Sequence, residues 1–185
     1  FKKITRWGNL DQVMNGIFAA KRLGLQVKIN VVALKNMNDD ELHDFISWCG
    51  DLGLDLTFIE VMPMGELNAL SRLDQYWSMS DLKKELASKW TLTDIPLKTG
   101  GPARYAKIKE TNGRVGFITP LSNNFCESCN RVRLTCTGQL FTCLGQDDEA
   151  DLRKVIRQSP GNIEILQKKI QRAIAQKQKG HAFDY

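Results

Sequence analysis

Four cysteines fall within eighteen residues: Cys126, Cys129, Cys136 and Cys143. They lie in Phe-Cys-Glu-Ser-Cys-Asn-Arg-Val-Arg-Leu-Thr-Cys-Thr-Gly-Gln-Leu-Phe-Thr-Cys-Leu, residues 125 to 144. Five cysteines in 185 residues are too sparse for a disulfide scaffold, and such clustering in a chain that opens with no signal peptide points to a metal. Cys126 and Cys129, with two residues between them, can aim both thiolates at one centre from a tight turn. A third or fourth sulfur must return from elsewhere, and Cys136 and Cys143 are the candidates.

The stretch from Arg131 to Leu144 reads as a hairpin turning at Thr137-Gly138, which sets Cys136 opposite Gln139 and leaves Cys143 four residues further along. At ~3.3 Å per residue that separation is roughly 13 Å, more than one metal centre spans. The spacing therefore favours Cys126, Cys129 and Cys143 as ligands, with Cys136 an ordinary thiol at the tip. A structural zinc ribbon using all four thiolates is the alternative. Three thiolates suit a 4Fe-4S cluster with one iron open to another ligand. Arg131 and Arg133 follow at once, and strand alternation aims both the same way, a fork suited to phosphate oxygens. Neutralising the cluster or pairing with Asp or Glu is the plainer use of these two arginines.

The elements that must carry these residues follow from periodicity. Leu10, Val13, Met14, Ile17, Ala20 and Leu23 recur at helical spacing after Asn9, and Gly24 sits at a left-handed C-cap, so residues 10 to 23 are predicted helical. Val27 to Leu34 is β-branched and mostly apolar on both parities, as a strand covered on both faces would be. Asn38-Asp39-Asp40-Glu41 has a capping-box pattern and opens a helix whose buried stripe is Leu42, Phe45, Ile46 and Cys49. A second strand runs over residues 54 to 62, halted by Pro63 and Gly65. This α-β-α-β order with short joints is half of a parallel α/β barrel or a doubly wound sheet. After a weak stretch from Asn68 to Ser80, a helix follows on Leu82, Leu86 and Trp90. Strands at 103 to 109 and 114 to 119 are joined through Thr111-Asn112-Gly113. Two helices, around Leu152 to Ile156 and Ile163 to Ile174, close the chain; the basic residues Lys168, Lys169 and Arg172 on the last read as a solvated face.

On the first predicted strand, Lys28 and Asn30 share a parity among apolar neighbours, and an inward Lys needs an anionic partner. Glu60 and Met62 share a parity at the carboxyl end of the second, where barrel enzymes place their chemistry. Snorkelling of Lys28 and core packing of Met62 are the plain alternatives. Cys49 reads as core, and His43 and His181 receive no role.

Apolar residues are 42% and charged residues 25% of the chain, the balance of a folded globular protein. The net charge of +5 would suit nucleic acid, an anionic surface or a phosphorylated small molecule alike. No apolar run reaches the ~18 residues of a membrane span, and a cytoplasmic location is expected.

These residues resemble the GTP 3',8-cyclase family, the radical S-adenosylmethionine enzymes that begin molybdenum cofactor biosynthesis. The resemblance rests on Phe125-Cys126-x-x-Cys129-Asn130-Arg131-x-Arg133-Leu134 through Gly138 to Cys143-Leu144, and on Phe58-Ile59-Glu60-Val61-Met62-Pro63-x-Gly65. Val27-Lys28-Ile29-Asn30-Val31-Val32, Gly101-Pro102-Ala103 and Asp151-Leu152-Arg153 fit as well, so it extends from about Thr5 to about Ile174.

The resemblance implies an α/β fold: the C-terminal units of an incomplete radical-SAM (β/α) barrel over residues 1–66, then a smaller α+β auxiliary-cluster domain over residues 67–185. It implies Cys126, Cys129 and Cys143 as ligands of an auxiliary 4Fe-4S cluster whose open iron receives guanine. Arg131, Val132 and Arg133 would hold the GTP triphosphate, Lys28 would contact GTP, and Met62 would lie beside S-adenosylmethionine. In the intact enzymes a second, N-terminal 4Fe-4S cluster cleaves S-adenosylmethionine; the resulting radical takes hydrogen from C3' of the ribose, which closes on C8 of guanine. The Cys-x3-Cys-x2-Cys motif for that cluster is not in this chain, which is therefore expected to bind GTP but not to cyclise it. Thr57 stands where many relatives carry Arg, and the tail differs from the family's Gly-Gly. GTP rather than nucleic acid or membrane is the expected partner, with a homodimer implied by the resemblance. The rival from another class is a zinc-ribbon module that binds nucleic acid; a peptide-modifying radical enzyme is a third reading.

Overall fold

The computed structural model describes residues 1–62, 74–123, 125–143, 145 and 149–180. The expected stop at Pro63 and Gly65, the weak stretch after Asn68, Leu144 and His181 lie outside them, wholly or in part. The chain divides into two compact units, Phe1–Val61 with Leu70–Ser122 and Met62–Ala69 with Asn123–Tyr185.

The first unit opens with a one-turn helix, α1 (Lys2–Thr5), and α2 (Leu10–Arg22). Asn9 caps α2 by accepting from the Gln12 amide at 3.2 Å, and Gly24 takes the left-handed turn at φ 75°. β1 (Lys28–Ala33), α3 (Leu42–Leu52) and β2 (Asp55–Glu60) follow, then α4 (Met79–Ala87), β3 (Leu92–Ile95), β4 (Arg104–Ile108) and β5 (Arg114–Ile118). The strands form one mixed sheet in the order β1-β2-β5-β4-β3. β1, β2 and β5 run parallel; β5, β4 and β3 pair antiparallel. Because β5 pairs with β2, with Leu56 opposite Val115, residues 70–122 join the first unit.

One face of this sheet carries the core. Val31, Ala33, Leu56, Phe58, Val115 and Phe117 pack with Leu42, Ile46 and Cys49 of α3 and with Met79, Leu82 and Leu86 of α4. Burial of each large side chain contributes about 1.5–3 kcal/mol. The other parity of β1 is open: Lys28, Asn30 and Val32 are exposed, against the expectation of a strand covered on both faces. β1 is an edge strand, and Ile29, Val31 and Ala33 alone turn to the core. Similarly, α2 has no buried residue, and Leu23 is 79% exposed. The capping box at Asn38 does not form. Its side chain accepts from the Leu34 amide at 2.8 Å and donates to the Val32 carbonyl at 3.0 Å, closing a turn, and α3 starts after a 3-10 turn over Asp39–Glu41.

The second unit is a three-stranded antiparallel sheet, β6 (Arg133–Leu134), β7 (Gln139–Phe141) and β8 (Glu149–Asp151), with helices α5 (Leu152–Gln158) and α6 (Ile163–Ala175). Asp151 and Asn162 cap these helices, accepting from Lys154 at 2.7 Å and Ile165 at 3.1 Å. Leu140, Ala150, Leu152 and Ala173 form its core with Leu166 and Ile170. Lys168 pairs with Glu164 on the exposed face of α6, a surface pair of small energetic weight. No helix among the described residues is long and apolar enough to cross a membrane.

Candidate metal and anion sites

The segment Phe125-Cys126-Glu127-Ser128 closes on itself because Ser128 donates to the Phe125 carbonyl through both its amide and its hydroxyl, each at 3.1 Å. The Cys129 amide in turn reaches the Cys126 carbonyl at 3.1 Å. The result is a 3-10 turn over Cys126–Ser128 with both cysteines half-buried at its ends. β6 and β7 then pair Arg133 with Phe141 and Leu134 with Leu140. The ladder ends at the Arg133–Phe141 pair, and Cys143 follows two residues after β7.

At the other end the Thr135 amide bonds to the Gln139 carbonyl at 2.9 Å and Gly138 to Thr135 at 3.0 Å. Gln139 therefore faces Thr135, one residue earlier than the spacing suggested, and Cys136 sits exposed within the turn. Gly138 is required there. Its φ is 85°, and a Cβ would lie 2.7 Å from that of Arg153. Arg131, Val132 and Arg133 are all exposed.

The donor chemistry at Cys126, Cys129 and Cys143 fits an iron–sulfur cluster: soft thiols, partly screened from water, with N–H donors turned to sulfur. Gly145 donates its amide to Cys143 Sγ at 3.4 Å, and Lys177 donates to Cys129 Sγ at 3.6 Å. Among the described residues no three His, Cys, Asp or Glu side chains are already gathered tightly enough to hold a metal ion. Cys49 is elsewhere, 2% exposed in the core, where burial first and the Asp55 charge second push its thiol up to about 12.

In the first unit, Lys28 stands at the head of β1, with its Nζ 2.5 Å from the Tyr105 hydroxyl and 5.1 Å from the ring centroid. Tyr105 is 2% exposed and also bonds Thr99 Oγ1 at 3.2 Å. Its ring crosses Gly116, where an added Cβ would meet Tyr105 Cε1 and Thr57 Oγ1 at 2.9 Å each. Burial pushes the pKa of this phenol up, but the Lys28 ammonium and the Thr99 hydroxyl outweigh it and hold it below its ordinary value. Arg114 and Asp55 make a bidentate pair at 2.5 and 2.8 Å beside it. Nothing in the sequence pattern singled out Tyr105 or Gly116, because their pairing with Lys28 depends on β4 and β5 joining β2.

Glu60 is 1% exposed and lies on the core parity of β2. It accepts from the Met79 amide at 2.9 Å, from Leu121 at 3.1 Å and from Ser122 at 3.0 Å, with the Ser122 hydroxyl as a fourth partner. A carboxylate so occupied anchors α4 and the loop after β5. Met62 is half-buried two residues past β2. A cavity of about 520 Å³ lined by Thr142, Glu149, Lys169 and Arg172 includes none of the expected site residues.

Residues 54–183 match the family described as Molybdenum Cofactor Synthesis C. The whole chain is 59% identical, over 185 residues, to a GTP 3',8-cyclase of Paracoccus denitrificans, and covers 54% of that protein. It is 59% identical over 183 residues to one of Mesorhizobium japonicum, covering 55% of it, and 57% identical to one of Brucella canis, covering 53%. The chain thus spans about half the length of the curated relatives it matches.

Proposed function

Because this chain belongs to the family described as Molybdenum Cofactor Synthesis C and corresponds to the C-terminal part of GTP 3',8-cyclases, we propose that it is the substrate-holding portion of such an enzyme in molybdenum cofactor biosynthesis. The observation that carries this reading is the turn bearing Cys126 and Cys129, which leads directly into Arg131 and Arg133, while β7, paired with β6, runs on to Cys143 two residues past its end. β1, α3 and β2 suit the last units of a barrel, since β1 and β2 pair in parallel through a helical crossover.

Cys126, Cys129 and Cys143 would hold a 4Fe-4S cluster, which when bound supplies an iron with an open position for the guanine base. Arg131 and Arg133, exposed and separated by one residue, would take the triphosphate oxygens, with the Val132 backbone between them. Lys28 offers a further cation on the open sheet face of its own unit, and Met62 would contact S-adenosylmethionine. The work of these residues is positioning: closing C3' of the ribose on C8 of guanine requires both atoms to be held in one pose.

Anaerobic reconstitution with iron and sulfide, followed by metal and sulfide analysis and GTP binding, tests the reading. The chain and its Cys136→Ser variant should become brown and bind GTP; Cys143→Ser should lose iron and weaken binding, and none should cyclise GTP alone. Uptake of one zinc that requires Cys136 would favour a nucleic-acid-binding zinc ribbon instead.

A further inference from the structure

Lys177 lies two residues beyond α6, half-buried, and its ammonium has two partners on one loop. It donates to the Arg131 carbonyl at 2.7 Å and to Cys129 Sγ at 3.6 Å. Two residues on, Lys179 lies 3.7 Å from Glu127 with both side chains largely exposed. The segment after the last helix therefore follows the cysteine turn, and Lys177 reaches its sulfur.

A neutral thiol is a weak acceptor, whereas a thiolate or metal-bound sulfur carries negative charge and accepts well from an ammonium. A donor at a cluster ligand favours the more negative, reduced state, and hydrogen bonds to sulfur are among the features that set cluster potentials. Resting on the reading of Cys129 as a ligand, we infer that Lys177 is a positioning residue: it pins the Cys129–Arg131 loop and raises the reduction potential of the cluster held there. The bond to the Arg131 carbonyl fixes the backbone between the metal ligand and the arginine fork. The bond to Cys129 supplies the charge.

The test uses this chain, reconstituted anaerobically with iron and sulfide, and reads the cluster's midpoint by EPR-monitored titration and its iron loss to a ferrous chelator. Lys177→Gln should load normally, shift to a more negative midpoint and lose iron several-fold faster. Lys177→Arg should restore most of both. Lys179→Gln, which removes the same charge without a sulfur contact, should match the unchanged chain. A Lys177→Gln midpoint equal to that of the unchanged chain, or an equal shift in Lys179→Gln, overturns the inference. Failure of the unchanged chain to take up iron and sulfide, or a full complement in Cys129→Ser, overturns the metal reading and the inference with it.

Discussion

The ammonium of Lys28 and the phenol of Tyr105, 77 residues apart in sequence, meet at 2.5 Å over the two strands, β2 and β5, that lie between theirs. The pair fixes the direction of a cation on the exposed parity of β1. A hydrogen bond to a charged group is worth about 1.5–3 kcal/mol when buried, and less where the ammonium remains wet, as here. On the proposal that Lys28 contacts GTP, Lys28→Met should weaken GTP binding roughly tenfold or more, and Tyr105→Phe roughly three- to tenfold. The double variant should bind no worse than Lys28→Met, since Tyr105 acts through the lysine. Binding curves for the three variants check this, and additive losses would count against it.

Gly116 makes that contact possible, because the Tyr105 ring occupies the space of a Cβ. Gly116→Ala should displace the ring, cost about 1–3 kcal/mol of stability and reproduce the binding loss of Tyr105→Phe. A denaturation midpoint and GTP affinity both equal to those of the unchanged chain would show that the sheet yields elsewhere.

Local pattern made much of this molecule legible. The stripe Leu42, Ile46 and Cys49 is buried in α3, the strands joined at Thr111-Asn112-Gly113 form an antiparallel pair, and α2 runs between Asn9 and the left-handed Gly24. What escaped depends on distant partners. β3 and β8, at four and three residues, are too short to carry a period. The exposure of Lys28, Asn30 and Val32 depends on what packs against that side of β1, which residues 27–34 alone do not reveal. The hairpin slipped by one residue because Gly138, with Thr135 closing the turn, fits the start of α5. Lys177 stands outside every periodic stretch, so its contact with Cys129 left no mark in the pattern.

Cys49 sets a pH dependence. Its thiol titrates near 12 in the folded chain, against 9.0 for an ordinary thiol. Between these values the unfolded chain has lost the proton and the folded chain keeps it, so the unfolded state binds fewer protons and stability falls as pH rises. The contribution is fully present below pH 9 and declines by about 1.4 kcal/mol per pH unit above it. Chemical denaturation from pH 8 to 11 should show a shallower decline in Cys49→Ala than in the unchanged chain; parallel profiles would contradict the assignment. In the same samples at pH 8, a thiol reagent should modify exposed Cys136 rapidly and Cys49 only on unfolding.

Glu60 separates a structural carboxylate from a chemical one at the end of β2. Its oxygens serve the first amide of α4 and two consecutive amides of the loop after β5, so a single side chain ties three segments together. Glu60→Ala leaves those donors without their acceptor at about 1–3 kcal/mol each where water does not replace it. A loss of about 3–5 kcal/mol is expected, seen as a fall in the denaturation midpoint. Glu60→Gln keeps one acceptor oxygen but turns an NH2 group toward donors, so it should lie between the two. GTP affinity measured well below both midpoints should change less than twofold in Glu60→Gln, because the carboxylate is spent on backbone amides. Unchanged stability with a large loss of affinity would instead place Glu60 in contact with substrate.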